Sequence, residues 1–137
     1  MNPPYRILVV DDNQDIRQLN SEVLMDSGYE VDTAEDGAVA WDALQLNPYD
    51  LLVTDNEMPN MSGIDLLDKL HAARKAVPVI MVSGTLPMEE LSQHPWLQIE
   101  AMLLKPYTIA ELLGTVEAVL SAALSQVRKS GSKASRA

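Results

Sequence analysis

Acidic, hydroxyl and ammonium side chains recur at the ends of short apolar runs in this chain of 137 residues. Asp11 and Asp12 follow one run, Asp55 follows a second, and Ser83 and Lys105 follow two others. If these runs are neighbouring parallel strands, their carboxyl ends share one edge of a sheet, where open α/β folds bind their ligands. The pattern therefore predicts a pocket that combines three carboxylates, a hydroxyl and an ammonium group.

Three carboxylates at one edge repel each other unless some are protonated or a cation neutralises them. A divalent cation is the simpler solution. Hard oxygen ligands with room for water and phosphate oxygens suit Mg²⁺ better than a dedicated calcium cage. Asp12 and Asp55 are predicted to bind the ion directly, and Asp11 either directly or through a water molecule.

Composition narrows the classes of partner. The chain is 47% hydrophobic and is long enough for one ordinary domain with a substantial core. Its formal charge is -10, and four of its ten positive charges lie in the last ten residues, so the body is more acidic than the total. A field of this sign repels nucleic acid phosphates and attracts cations. Metal ions and proteins are the predicted partners, and direct DNA binding is not expected.

Cysteine usage and hydropathy bear on location. The chain has no cysteine, which excludes a disulfide scaffold and is compatible with a reducing cytosol. Its apolar runs are too short to span a bilayer, and the opening segment lacks the charged start and apolar stretch of a secretory signal. We expect a cytoplasmic protein without a membrane segment.

Apolar runs and helical patterns alternate five times along the chain. The predicted strands are residues 6–10, 29–33, 51–54, 79–82 and 102–104. Helix starts are indicated by Asp36 and by two capping boxes, Ser62 with Asp65 and Thr108 with Glu111. Five βα units predict a doubly wound α/β fold with a parallel sheet covered on both faces. Residues 1–125 would form this domain, and the polar, basic residues 126–137 would form a disordered tail or linker.

The sequence resembles the receiver domain of two-component response regulators over residues 5–125. The resemblance depends on the Asp11-Asp12 pair, Asp55 followed by Met58-Pro59 and Gly63, Ser83, and Lys105-Pro106, each in the expected order and strand position. It implies the flavodoxin-like strand order 2-1-3-4-5 of the chemotaxis receiver, with five helices.

The resemblance also implies a function and the residues that perform it. Asp55 would accept a phosphoryl group from a phosphohistidine, Lys105 and Ser83 would contact phosphoryl oxygens, and the backbone carbonyl of Glu57 would join the Mg²⁺ ligands. The donor would be a sensor histidine kinase or a phosphotransfer protein, and phosphorylation would switch contacts with a downstream protein. The domain would be a phosphoacceptor rather than an enzyme, free-standing or part of a hybrid kinase. Homodimer formation is left open.

Two alternatives belong to other classes. An aspartyl-phosphate phosphatase or phosphotransferase usually carries a second Asp two residues after the nucleophile, where this chain has Glu57. A pseudo-receiver, which signals without phosphorylation, typically lacks an acid or the Lys, and this chain has both. A dinucleotide-binding domain is excluded because no glycine-rich turn follows Val10. Met102 stands where receivers commonly carry a Tyr or Phe that moves on activation.

Overall fold

The computed structural model describes the backbone of residues 4–136 and the side chains of residues 4–123. Strands and helices alternate in the order β1 (Arg6–Val10), α1 (Gln14–Asp26), β2 (Glu30–Ala34), α2 (Gly37–Leu46), β3 (Leu51–Asp55), α3 (Gly63–Ala72), β4 (Val79–Ser83), α4 (Met88–Ser92), β5 (Ala101–Leu104) and α5 (Ile109–Arg136). The strands form one parallel sheet in the order β2-β1-β3-β4-β5. The predicted fold class and strand order are confirmed.

Helices cover both faces of the sheet, and each face has its own core. Because successive side chains of a strand point to opposite faces, Leu8 and Val10 of β1 pack with α2 and α3. Ile7 and Val9 pack on the other face with α1 and α5. Every residue of β3 and β4 is buried, as expected for central strands of a parallel sheet. This two-sided packing fixes the strand ends that carry the predicted site.

Three helix starts have the side-chain caps that the sequence predicts. The Asp36 carboxylate accepts a hydrogen bond from the backbone of the first turn of α2. Ser62 and Asp65 form a reciprocal capping box at α3. Thr108 and Glu111 do the same at α5. Such caps satisfy N–H groups that have no partner within the helix.

The last two helices differ from simple expectations. Helix α4 has only five residues and ends at Ser92, before Pro95. Helix α5 continues to Arg136, so the backbone shows no break at the predicted boundary between residues 125 and 126. Ala, Lys and Arg in this segment are good helix formers. The assignment of 126–137 to a tail stays a prediction, because side chains beyond Ala123 are outside the described residues. No helix within residues 4–136 is long and apolar enough to cross a membrane.

Candidate functional site

The predicted pocket lies at the carboxyl edge of the sheet. Asp11 directly follows β1, Asp55 and Ser83 are the last residues of β3 and β4, and Lys105 directly follows β5. Strand register aligns these ends, since Asp55 pairs with Val82, and Ser83 pairs with the residue before Lys105. The parallel sheet therefore brings the sequence-predicted residues together at one edge.

Three carboxylates form the base of this pocket. Oxygen atoms of Asp11, Asp12 and Asp55 lie within 4.8 Å of one another. Asp11 is 3% exposed and Asp55 is 2% exposed, whereas Asp12 is open to solvent. Such a set of hard oxygen donors, partly buried and partly reachable by water, could hold a divalent cation.

Electrostatics at Asp55 favour the arrival of a cation. Burial raises the pKa of Asp55 from 3.8 to about 6, although Lys105 acts in the opposite direction and Asp11 adds to the rise. Lys105 Nζ lies 3.1 Å from Asp55 Oδ1 and forms an ion pair with it. Apart from Lys105, this buried oxygen has no hydrogen-bond partner among the described residues. A buried carboxylate oxygen with one ammonium partner still has lone pairs free to bind a metal ion or to attack an electrophile.

The loop after β1 is fixed by its own polar contacts. The Asn13 backbone N–H donates to Asp11 Oδ1 at 2.9 Å, and Arg17 Nη1 donates to the Asp11 carbonyl at 2.7 Å. Burial raises the pKa of Asp11, and the hydrogen bond from Asn13 opposes that rise. These contacts hold Asp11 beside Asp55 before any ligand binds.

The loop after β3 requires a glycine at its return. Asn56 Oδ1 accepts a hydrogen bond from the Ile64 backbone N–H at 3.0 Å, and the Asn56 carbonyl accepts one from the Gly63 N–H at 3.1 Å. A Cβ atom at Gly63 would lie 2.7 Å from the Asp55 carbonyl oxygen and 3.0 Å from Asn56 Cα. Helix α3 therefore approaches the Asp55 backbone as closely as only glycine allows.

The Glu57 side chain makes contacts in the pocket that the sequence did not predict. The prediction concerned only its backbone carbonyl, but Glu57 Oε1 accepts hydrogen bonds from Ser83 Oγ at 2.6 Å and from the Gly84 N–H at 3.0 Å. Burial acts to raise the pKa of Glu57, but its hydrogen bonds, led by those from Ser83 and Gly84, together lower the pKa. No sequence signal predicts this contact, because the direction of the side chain depends on the loop after β3.

Lys105 completes the pocket from β5. Its backbone N–H donates to the Ser83 carbonyl at 2.9 Å, which holds it beside β4. Partial burial acts to lower the pKa of Lys105, but contact with Asp55 outweighs this effect and raises it. Lys105 therefore stays charged and half-buried beside the acids. Met102, at the position of the absent aromatic residue, is half-buried against the core on the α2 and α3 face.

The comparison with known protein families agrees with this geometry. Residues 7–117 match the response regulator receiver domain. The chain belongs to this family. Receiver domains are signalling modules of two-component systems that interact with histidine kinases or phosphotransfer proteins, and they are generally phosphoacceptors rather than conventional enzymes.

Relatives include short and long proteins. The chemotaxis protein CheY-3 of Vibrio cholerae is 33% identical over 115 residues, 82% of this chain and 88% of the relative. CheY of Pseudomonas aeruginosa is 34% identical over 118 residues, 83% and 94% of the two chains. The transcriptional regulatory protein PrrA of Mycobacterium tuberculosis is 35% identical over 115 residues, but these are only 49% of that protein.

Solved structures give the same result. A CheY-like response regulator receiver domain protein from Methanospirillum hungatei superposes with a TM-score of 0.83 at 28% identity, over 90% of this chain and 98% of that one. CheY4 of Vibrio cholerae has a TM-score of 0.77 at 31% identity, over 85% and 98% of the two chains. The predicted family and fold are thus confirmed, and the chemistry of individual site residues stays a proposal.

Proposed function

We propose that this receiver domain accepts a phosphoryl group on Asp55 from a phosphohistidine, in a reaction that requires Mg²⁺. The observation that carries the proposal is the Asp55 carboxylate, which is buried and has Lys105 as the single close partner of its Oδ1 among the described residues. The acidic pair Asp11 and Asp12 lies beside it, and the Lys105 ammonium group is 3.1 Å from it. A nucleophile, a cation site and a positive charge are the parts that phosphoryl transfer to a carboxylate needs.

Mg²⁺ fits the donor set of this pocket. Asp11, Asp12 and Asp55 would hold it with the backbone carbonyl of Glu57, since Mg²⁺ binds through few carboxylates and retains several water molecules. When bound, the ion would offset the negative charge of the acids and of the incoming phosphoryl group. The raised pKa of Asp55, which persists despite Lys105, supports a role for such an additional positive charge.

In the transfer step, an ionised oxygen of Asp55 attacks phosphorus in line with the bond to the donor nitrogen. A phosphorus–oxygen bond to Asp55 forms as the phosphorus–nitrogen bond breaks, and the donor imidazole keeps that electron pair. Lys105 would contact one phosphoryl oxygen as a fixed positive charge. Ser83 would donate its hydroxyl to another oxygen.

The phosphorylated state would differ from the free state at the end of β4. A phosphoryl group adds nearly two negative charges and three acceptor oxygens, which can attract Ser83 and the loop that follows it. Because this loop leads into α4, its movement would change the surface offered to a downstream protein. Output would then pass through protein contacts.

The test is intact mass spectrometry after incubation with acetyl phosphate, with and without Mg²⁺. The wild-type chain should gain one phosphoryl group only when Mg²⁺ is present, and Asp55→Asn should gain none. Asp42→Asn, which removes an exposed carboxylate on α2, is the matched control and should be labelled like the wild type. Equal labelling of Asp55→Asn would refute the assignment of the acceptor.

A phosphohistidine donor is tested separately from the small donor. Labelling by a phosphorylated histidine phosphotransfer protein, abolished in Asp55→Asn, is the expected result. Labelling by acetyl phosphate but by no histidine donor offered would contradict the proposed relay role. Steady turnover of an added phosphomonoester would instead support the enzyme alternative.

A further inference from the structure

One carboxylate oxygen holds two hydrogen-bond donors at the end of β4. Glu57 Oε1 accepts from Ser83 Oγ at 2.6 Å and from the Gly84 backbone N–H at 3.0 Å. Ser83 is 1% exposed, so its hydroxyl is screened from water. A hydrogen bond to a charged acceptor is strong in such an environment. We call these three groups the Glu57 contact.

We propose that Glu57 is an internal competitor of the phosphoryl group, because its carboxylate occupies the donors that a phosphoryl oxygen on Asp55 would use. The inference rests on the proposed phosphorylation of Asp55. A phosphoryl oxygen and a carboxylate oxygen are chemically similar acceptors, since both are anionic and bind a hydroxyl and a backbone N–H. Glu57 must therefore leave Ser83 and Gly84 before the phosphorylated pocket can close.

The positions of the residues support direct competition. Asp55 pairs in register with Val82, so Ser83 lies one residue beyond it on the neighbouring strand. Glu57 reaches the same strand end from two residues after Asp55. A second anion bound to Asp55 would thus meet Glu57 at close range.

If Glu57 moves away, the Ser83 hydroxyl still has a hydrogen-bond acceptor, whereas the Gly84 N–H loses the only acceptor described for it. Ser83 Oγ also lies 2.5 Å from the Thr85 carbonyl oxygen, and its single proton can serve only one acceptor at a time. The Gly84 N–H donates to Glu57 alone in the described structure. The Gly84 amide is therefore the most direct reporter of the Glu57 contact.

Two substitutions separate occupation of the donors from charge repulsion. Glu57→Gln retains an oxygen that can accept from Ser83 and Gly84 but removes the charge, whereas Glu57→Ala removes both. If occupation matters, the effect of Gln should lie between those of Glu and Ala. If only repulsion matters, Gln and Ala should behave alike. Glu90→Ala, which removes an exposed acid of α4, is the control for a change in net charge.

The experiment measures amide exchange and anion affinity on the full chain. Hydrogen exchange at Gly84, followed by nuclear magnetic resonance without any anion, should be fastest in Glu57→Ala and intermediate in Glu57→Gln. Affinity for beryllofluoride, a phosphoryl analogue, is then measured at saturating Mg²⁺. Glu57→Ala should bind it roughly tenfold or more tightly than the wild type, as expected for loss of a hydrogen-bonded charged competitor. Glu57→Gln should fall between them, and Glu90→Ala should match the wild type.

Other results would overturn the proposal. Unchanged Gly84 exchange in Glu57→Ala would mean that the Glu57 contact does not protect this amide. Faster exchange with unchanged or weaker beryllofluoride binding would mean that the contact exists without competing. If neither the wild type nor Glu57→Ala binds beryllofluoride or accepts phosphoryl groups, both proposals fail. If Glu57→Ala binds beryllofluoride and the wild type does not, the result would support Glu57 as a competitor. It would mean that Glu57 prevents binding in the wild type.

Discussion

Replacing Asp55 with Asn should stabilise the metal-free protein, by an amount that depends on pH. Asp55 is 2% exposed, and burial, opposed by Lys105, raises its pKa from 3.8 to about 6. At about 1.4 kcal/mol for each pKa unit, this rise corresponds to about 3 kcal/mol. Asn has nearly the shape of Asp without the charge, so the variant avoids burying an ionised carboxylate.

The sign of the pH dependence follows from proton binding. Between pH 3.8 and about 6 the folded protein retains the Asp55 proton, whereas the unfolded chain has released it. The free energy of unfolding of the wild type therefore falls as pH rises through this window. Below the window both states are protonated and Asp55 contributes nothing. The stability gain of Asp55→Asn should be near zero below about pH 4 and close to about 3 kcal/mol at about pH 8, or roughly 10 °C in Tm.

Urea unfolding in the presence of a metal chelator, followed by circular dichroism from about pH 4 to about pH 8, measures this difference. The control Asp42→Asn should stay within about 0.5 kcal/mol of the wild type throughout. A variant that is equally or less stable than the wild type at the upper end would refute the reasoning. It would mean that the ion pair with Lys105 outweighs the burial of Asp55. Under the proposal that Mg²⁺ binds here, added Mg²⁺ should narrow the difference by stabilising the wild type.

Other substitutions test the elements that position the site. Gly63→Ala should destabilise the protein by about 1 to 3 kcal/mol in urea unfolding, because the added Cβ would lie 2.7 Å from the Asp55 carbonyl oxygen. Gly114→Ala is the control and should be neutral or stabilising, because its Cβ would have no atom within 4 Å. Lys105→Met should raise the pKa of Asp55 further in a carboxyl resonance titration and slow acetyl phosphate labelling roughly 10²-fold, while Mg²⁺ binding is retained. Ser62→Ala should lower the free energy of unfolding by about 1 kcal/mol through loss of the α3 cap, and an unchanged value would contradict that role.

The sequence predicts the site because its residues stand at the ends of apolar runs. Once β1, β3, β4 and β5 are parallel neighbours, the positions of Asp55, Ser83 and Lys105 follow without knowledge of any loop. The helix caps are equally predictable, since Ser62 and Thr108 each accept a hydrogen bond from a backbone N–H only three residues later. These features depend on local spacing or on the geometry shared by all parallel sheets.

Features that depend on the path of a loop are not predictable in this way. Glu57 and Ser83 are 26 residues apart, and their contact needs the turn after β3 to point the carboxylate toward β4. The end of helix α4 is a second case. Pro95 indicates a break somewhere near it, but the helix ends three residues earlier, at Ser92, and it begins without a side-chain cap. The spacing of residue types along the sequence therefore predicts neither the Glu57–Ser83 contact nor the end of α4.

The charges of the pocket explain why its function and its stability oppose each other. Lys105 lies 3.1 Å from Asp55, yet the pKa of Asp55 still rises to about 6, so one ammonium group does not compensate for the burial and crowding of the acids. A fold with a core on each face of its sheet can tolerate this unfavourable charge. The same imbalance would favour a divalent cation, which would also offset the negative charge that a phosphoryl group adds to Asp55. Glu57 meanwhile accepts hydrogen bonds from Ser83 and Gly84, so a phosphoryl group on Asp55 would have to replace contacts that are already made.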